Sequence, residues 1–224
     1  MKKIILFLAL SLSLSGFAQD TTETTSDEKK SDAEFDIYIG IGGNVQSDYN
    51  LNDKLANSGL PELKLTVPEF TVGWNAMAEK YAIGFEFGFF GGEDKSSNER
   101  TRIIGFNTRM IAHYNFINKE KIAFTGGLNI GYTSNQVDIY SKNTVVDLNN
   151  LGGQGNALIL KNGMLFAGPS VGVYLFKNKK YTTRVNLGYE LALTRGRWKS
   201  DYSGVNNTVG EGGNNRFVFG ISLL

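Results

Sequence analysis

The stretch YAIGFEFGF, residues 81–89, decides how this chain folds. Tyr81, Ile83, Phe85, Phe87 and Phe89 are large and apolar, while Ala82, Gly84, Glu86 and Gly88 between them are small or charged. Side chains alternate between the two faces of a strand, so a period of two writes one apolar face and one sparse face. The pattern recurs in both directions. On the N-terminal side it covers Phe35 to Ile41 and Phe70 to Ala76. On the C-terminal side it covers Ile104 to Phe116, Ile122 to Tyr132, Leu165 to Leu175, Val185 to Leu193 and Phe217 to Leu223. These are eight strands, and no helical period competes for any of them. Each runs about 10 to 15 residues, against a mean near 5 to 6 in soluble proteins. At about 3.3 Å per residue and a tilt near 40°, ten or eleven residues cross the ~25 Å apolar band of a membrane barrel.

A soluble barrel of the lipocalin kind shows the same alternation with its apolar set turned inward. The identity of the second set separates the two. It contains Gly40, Gly42, Gly73, Gly84, Gly88, Gly105, Gly127, Gly131, Gly168, Gly172, Gly188 and Gly220, out of 27 Gly in the chain. A water-facing strand surface would carry Lys, Glu and Thr, because glycine weakens strands. The interior of an eight-stranded barrel is only just wide enough to be filled by side chains, so small residues beside a few large ones belong there. The apolar set therefore faces lipid. It also places Phe35, Tyr81, Tyr114, Phe116, Phe124 and Tyr181 near one end of the strands and Phe70, Phe89 and Tyr132 near the other, as two interfacial girdles.

The connections orient the barrel. Glu79-Lys80, Ile117 to Lys121 and Lys177 to Lys180 are short; 46–62, 91–101, 134–163 and 196–214 are long, and the two kinds alternate. This predicts an all-β, eight-stranded antiparallel up-and-down transmembrane barrel over 35–224, with short periplasmic turns and long extracellular loops. Within the third loop, Val137 to Tyr140 and Thr144 to Leu148 read as a hairpin standing above the membrane around Ser141-Lys142-Asn143.

The segment before the barrel is of another kind. Lys2 and Lys3 precede an apolar run, Ile4 to Leu14, and Gly16 and Ala18 are small residues placed for cleavage before Gln19. Residues 1–18 read as a secretory signal peptide, too short to span a membrane. Residues 19–34 hold no large apolar side chain before the barrel and read as a disordered periplasmic leader. With Lys2 and Lys3 removed, 21 of the 23 basic residues remain against 22 acidic ones. That balance argues against nucleic-acid binding. Zero Cys excludes disulfide scaffolds, thiolate zinc sites and iron–sulfur clusters. A mean hydropathy of −0.20 excludes a helical membrane protein.

Taken together, residues 35–224 resemble the small eight-stranded outer-membrane barrels of the OmpA/OmpX type, the broad "outer membrane protein beta-barrel domain" family. The resemblance rests on strand pattern and implies a cell outer-membrane location among outer-membrane lipid and lipopolysaccharide. It also implies insertion by the barrel-assembly machinery, which reads a terminal strand closing in an aromatic residue. Phe217, Phe219, Ile221 and Leu223 match the alternation of that strand, but the chain ends in Leu224.

Parity turns Asp36, Glu86, Arg109, His113, Arg184 and Glu190 into the lumen. Charges in a tight interior must pair, since an isolated buried charge is very costly, and Glu86 and Arg109 are expected to face each other near mid-height. The set reads as a structural plug; lining a gated pore is the alternative. His113, the only His, points away from lipid, with Ser170 the one inward serine within conceivable reach. It reads as a satisfied lumen side chain rather than a catalytic base, and one His without Cys supports no metal site. Gly152-Gly153-Gln154-Gly155 and Gly210-Glu211-Gly212-Gly213 lack the strand–turn–helix setting of phosphate loops and read as flexible loop tips. The expectation is a monomeric barrel with a structural or surface-interaction role through its extracellular loops and with an unknown loop partner. No enzymatic activity and no cofactor are expected. A small porin is the alternative, and a lipid-modifying enzyme a more distant one.

Overall fold

Each alternating segment forms a strand, and the strands close on themselves. The computed structural model describes residues 33–141, 157–177 and 179–224. The residues assigned to the signal peptide, those of the leader up to 32, Thr144 to Leu148 and Gly152 to Gly155 lie outside the described residues. In chain order the elements are β1 (Glu34–Gln46), α1 (Asn50–Asn57), β2 (Thr66–Met77), β3 (Tyr81–Lys95), β4 (Glu99–Asn118), β5 (Ile122–Ser141), β6 (Ala157–Leu175), β7 (Thr183–Ala192), β8 (Gly196–Arg197), β9 (Gly210–Glu211) and β10 (Asn215–Leu223). The barrel runs β1-β10-β7-β6-β5-β4-β3-β2, with antiparallel neighbours throughout. It closes where β1 meets β10, from Ile39 opposite Leu223 to Gln46 opposite Arg216.

Parity assigns the faces as the glycine argument requires. Phe35, Ile37, Ile39 and Ile41 of β1 are exposed, as are Leu128, Ile130 and Tyr132 of β5 and Phe217, Phe219 and Ile221 of β10. All nine girdle aromatics lie on this outer face. Several meet across strands: Phe35 stacks on Trp74 at 5.8 Å, Tyr81 meets Tyr114 edge-on at 5.7 Å, and Phe89 lies 6.3 Å from Phe106. A soluble protein would not leave such a belt uncovered, whereas lipid covers it at no cost. No helix among the described residues is long and apolar enough to cross a membrane; strands do the crossing.

The strands outrun the lipid belt on the extracellular side, and three expectations change there. The long loop expected at 91–101 is a tight turn at Ser96–Asn98, because β3 continues to Lys95 and β4 starts at Glu99. Of the loop expected at 134–163, residues 134–141 and 157–163 are strand. Val137 to Tyr140 do form a hairpin strand, but they pair with Ala157 to Leu160 as a direct extension of β5 and β6. Apolar alternation ends where lipid ends; the main-chain ladder does not. Above the belt, ion pairs take over from apolar contacts: Arg102 on Asp138 at 2.5 Å and Arg100 on Glu93 across strands, and Lys95 on Glu93 along β3. The first loop contains the helix α1, which was not foreseen. Leu51 and Leu55 give it a buried side one turn apart, and it stops before Gly59, which takes the left-handed φ of +70°.

Candidate functional site

The interior of the barrel is the best-developed constellation of polar groups in the molecule. Its centre is Arg109 on β4, which contacts three carboxylates from three other strands. It pairs with Glu86, its register partner on β3, and lies 3.2 Å from Glu69 on β2 and 3.1 Å from Glu190 on β7. Arg184 contacts the second oxygen of Glu86 at 3.3 Å, and Tyr38 donates its hydroxyl hydrogen to the same oxygen at 2.8 Å. Arg216 on β10 lies opposite Glu190 and donates to it at 2.8 Å. Arg184 also sits 4.2 Å over the Tyr38 ring and Arg216 3.9 Å over Phe166. Three carboxylates and three guanidinium groups thus form one cluster without net charge, each residue at most 3% exposed. Asn44 and Asn107 donate to Glu69 at 3.0 and 2.6 Å, and Thr133 links Asn107 to Arg216. Buried charges are tolerable on these terms, each paired and most of their oxygens and nitrogens hydrogen-bonded.

Of the residues expected here, Glu86, Arg109, Arg184 and Glu190 come together as one network. Asp36 does not join it. It lies half-buried near the start of β1 and makes no ion pair with the lumen arginines, because parity sets direction but not depth. Glu69 and Arg216 were missed. Both hold the inward parity, two positions before Thr71 and Val218, but each sits just past the apolar run that marks its strand. Carrying the alternation one step further would have found them. Glycine makes the room: a Cβ on Gly88 would overlap the Glu69 carboxylate, and one on Gly73 would come within 2.8 Å of the Tyr38 ring.

Nearer the periplasmic end, His113 is held on both ring nitrogens. Nδ1 lies 2.8 Å from Thr125 Oγ1 and Nε2 lies 2.7 Å from Ser170 Oγ, and Ser170 donates to Asn129 Oδ1 at 2.7 Å. So Ser170 does reach His113. Both are buried inside the barrel, and a threonine stands where a hydrolytic triad places the carboxylate that orients its base.

The lumen is closed above and below this polar core. At the periplasmic end Met77, Ala82, Ala123 and Tyr174 cluster, with Leu224 packed against them. At the extracellular end Tyr49, Leu51, Leu55, Leu63, Val67, Phe90, Ile103, Val137, Ile139, Leu160 and Trp198 form an apolar core under α1. Glu211 fastens this lid. It is fully buried, accepts from the main-chain N–H groups of Asn50 and Leu51 at 2.7 and 2.9 Å, and accepts from Trp198 Nε1 at 2.6 Å and Asn214 at 2.8 Å. A carboxylate from β9 thereby caps a helix whose own Tyr49 supplies no side-chain cap. Gly210 to Gly213 are accordingly not a flexible tip: Gly210 and Glu211 pair with Arg197 and Gly196, and the glycines flank a buried anchor. Between lid and network remains a cavity of about 10 Å³ beside Asn44, Gln46, Asn135 and Arg216, roughly the room of one water molecule.

No protein-family model matches the chain, and no curated protein does either. Solved structures do match in shape. Ail, the attachment invasion locus protein of Yersinia pestis, superposes at a TM-score of 0.51 with 10% identity, over 86% of this chain and 98% of that one. Neisserial surface protein A gives 0.42 at 10% identity over 85% and 98%, and OprG from Pseudomonas aeruginosa 0.46 at 13% over 84% and 94%. At such identities the likeness is one of fold. With its lipid-facing belt, its closed ring of eight strands and its filled lumen, the chain has the transmembrane barrel fold of the OmpA/OmpX type.

Proposed function

We propose that this chain is an integral protein of the cell outer membrane, exported behind a signal peptide cleaved near Ala18-Gln19 and inserted as a monomer by the barrel-assembly machinery. There it serves a structural or surface-interaction role through its extracellular side. It is neither a channel nor an enzyme. The observation that carries this is the closure of the lumen at three successive levels: the lid core, the neutral Glu69–Glu86–Glu190–Arg109–Arg184–Arg216 cluster, and the base around Tyr174. A cavity of about 10 Å³ passes no hydrated ion. What the molecule offers to a partner is therefore its outer surface: a lipid-facing wall, and the lid with the strand extensions above the membrane.

The test joins two measurements on one sample. The barrel, refolded into lipid, should run at a different apparent mass before and after boiling. Reconstituted into a planar bilayer, it should carry no single-channel current. Steady conductance steps from the folded protein would replace this proposal with the small-porin alternative. An enzymatic role has its own check: turnover of outer-membrane lipid that vanishes in both His113→Ala and Ser170→Ala would establish a lipid-modifying activity.

A further inference from the structure

The outer face of β7 does not end where lipid ends. Val185, Leu187, Leu191 and Leu193 point outward along the wall, and the same parity continues through Arg195, Arg197 and Lys199, all exposed, while Gly196 and Trp198 between them are buried. β8 is held in this line on both sides: Lys199 bridges Lys161 on the extension of β6, and Gly196 and Arg197 pair with β9. A lipid-facing ladder thus turns cationic within one step, between Leu193 and Arg195. At about 6.6 Å per two residues of extended chain, the three cations span roughly 13 Å from Arg195 to Lys199.

Their pairing sets them apart. Elsewhere above the belt outward charges are paired: Arg100 across strands and Lys95 on the same strand by Glu93, Arg102 by Asp138, and Lys161 by Asp201 at 2.5 Å. Arg195, Arg197 and Lys199 form no ion pair with any described residue. Three cations on one parity of the segment that follows β7, without acidic partners among the described residues, form an anion site, and its position decides which anion. It joins the acyl-facing wall of Leu191, Leu193 and Leu165 without a break, at the height of the outer headgroups.

We propose that Arg195, Arg197 and Lys199 bind the phosphate groups of the glycolipid of the outer leaflet, with the acyl chains of that lipid packed on the leucines below. The proposal rests on the outer-membrane location proposed above. It deepens that location by naming the lipid-contacting residues.

The experiment uses the folded full-length barrel in detergent micelles. Three probes are added in turn: bisphosphorylated lipid A, the same lipid A with its phosphates removed, and sucrose octasulfate as a soluble polyanion. Phosphorylated lipid A should bind at least about tenfold more tightly than the dephosphorylated form. The triple variant Arg195→Gln/Arg197→Gln/Lys199→Gln should lose that preference, and the periplasmic control Lys119→Gln/Lys179→Gln/Lys180→Gln should keep it. The boiling-dependent gel shift verifies that each variant is folded. If the triple variant does not fold, the three single substitutions should each weaken binding roughly three- to fivefold. Equal binding of the two lipid A forms, or an unchanged triple variant, overturns the proposal. Sucrose octasulfate binding as tightly as phosphorylated lipid A overturns it in favour of a soluble polyanion. Cell fractionation tests the location separately. A chain found outside the outer membrane removes the location whatever the micelles show, and failure in micelles with the location intact removes only the lipid site.

Discussion

Arg109 is the side chain on which the lumen depends most. It faces Glu69, Glu86 and Glu190 at once, so removing it leaves three carboxylates sharing two cations out of reach of water. Arg109→Met should therefore lower the stability of the folded barrel by about 3–5 kcal/mol, read as a shift of the urea midpoint in lipid vesicles. An unchanged midpoint would mean that the network is slack. Gly88 tests the complementary requirement for space. Gly88→Val would place atoms where the Glu69 carboxylate lies, and about 1–3 kcal/mol of destabilisation is expected in the same assay. The sequence made Glu86 and Arg109 legible as a facing pair, because both hold the inward parity near mid-height on neighbouring strands. Asp36 shares that parity yet lies outside the cluster, and Glu69 and Arg216 belong to it from beyond the apolar runs. Depth along a barrel axis depends on the stagger of all eight strands, which no single segment encodes.

The lid is built from α1, β8 and β9, elements that are separately too short to be stable and that meet at Glu211. Glu211→Ala should release the helix N-terminus and the Trp198 indole together while the strands remain closed. Trp198 emission should shift to the red, and protease should cut between residues 47 and 65, with the boiling-dependent gel shift retained. Loss of the gel shift would show instead that the lid is needed for closure of the barrel. The β3–β4 hairpin should respond to pH. Hydrogen bonds from Lys95 and then Arg100 hold the half-buried Glu93 carboxyl below its ordinary range, four residues above Phe89 and outside the lipid. Its folded value is the lower one, so its contribution is complete above the ordinary carboxylate range and is lost as pH falls through the depressed value. Protection of the amides from Asp94 to Arg100, taken as exchange relative to the intrinsic rate at each pH, should fall between neutral pH and about pH 3. Glu93→Gln should abolish that change. The hairpin escaped a reading based on hydrophobic period because its strands are held by main-chain bonds and ion pairs. The helix left a trace in Leu51, Leu55 and Gly59, a pattern too short to stand out among strands eight times repeated.

The whole molecule is closed redundantly, and this makes a last expectation specific. Deleting α1 alone should leave the bilayer silent, because the charged cluster still fills the barrel beneath it. Deleting α1 together with Arg109→Ala, Glu86→Ala and Tyr174→Ala should give current, since lid, cluster and base then fail together. Current from the α1 deletion alone would show that the cluster does not seal. The sequence by itself determined the strand count, which face meets lipid and the sign of most lumen residues. Each of these follows from a period of two, which is a local property of a chain lying between lipid and a narrow interior. Only the tertiary structure decided that the extracellular strands extend beyond the membrane, that Glu211 joins a helix 160 residues away, and that the interior charges balance. Those features arise where distant strands meet at one height, and the height of each residue is set by the closure of the ring.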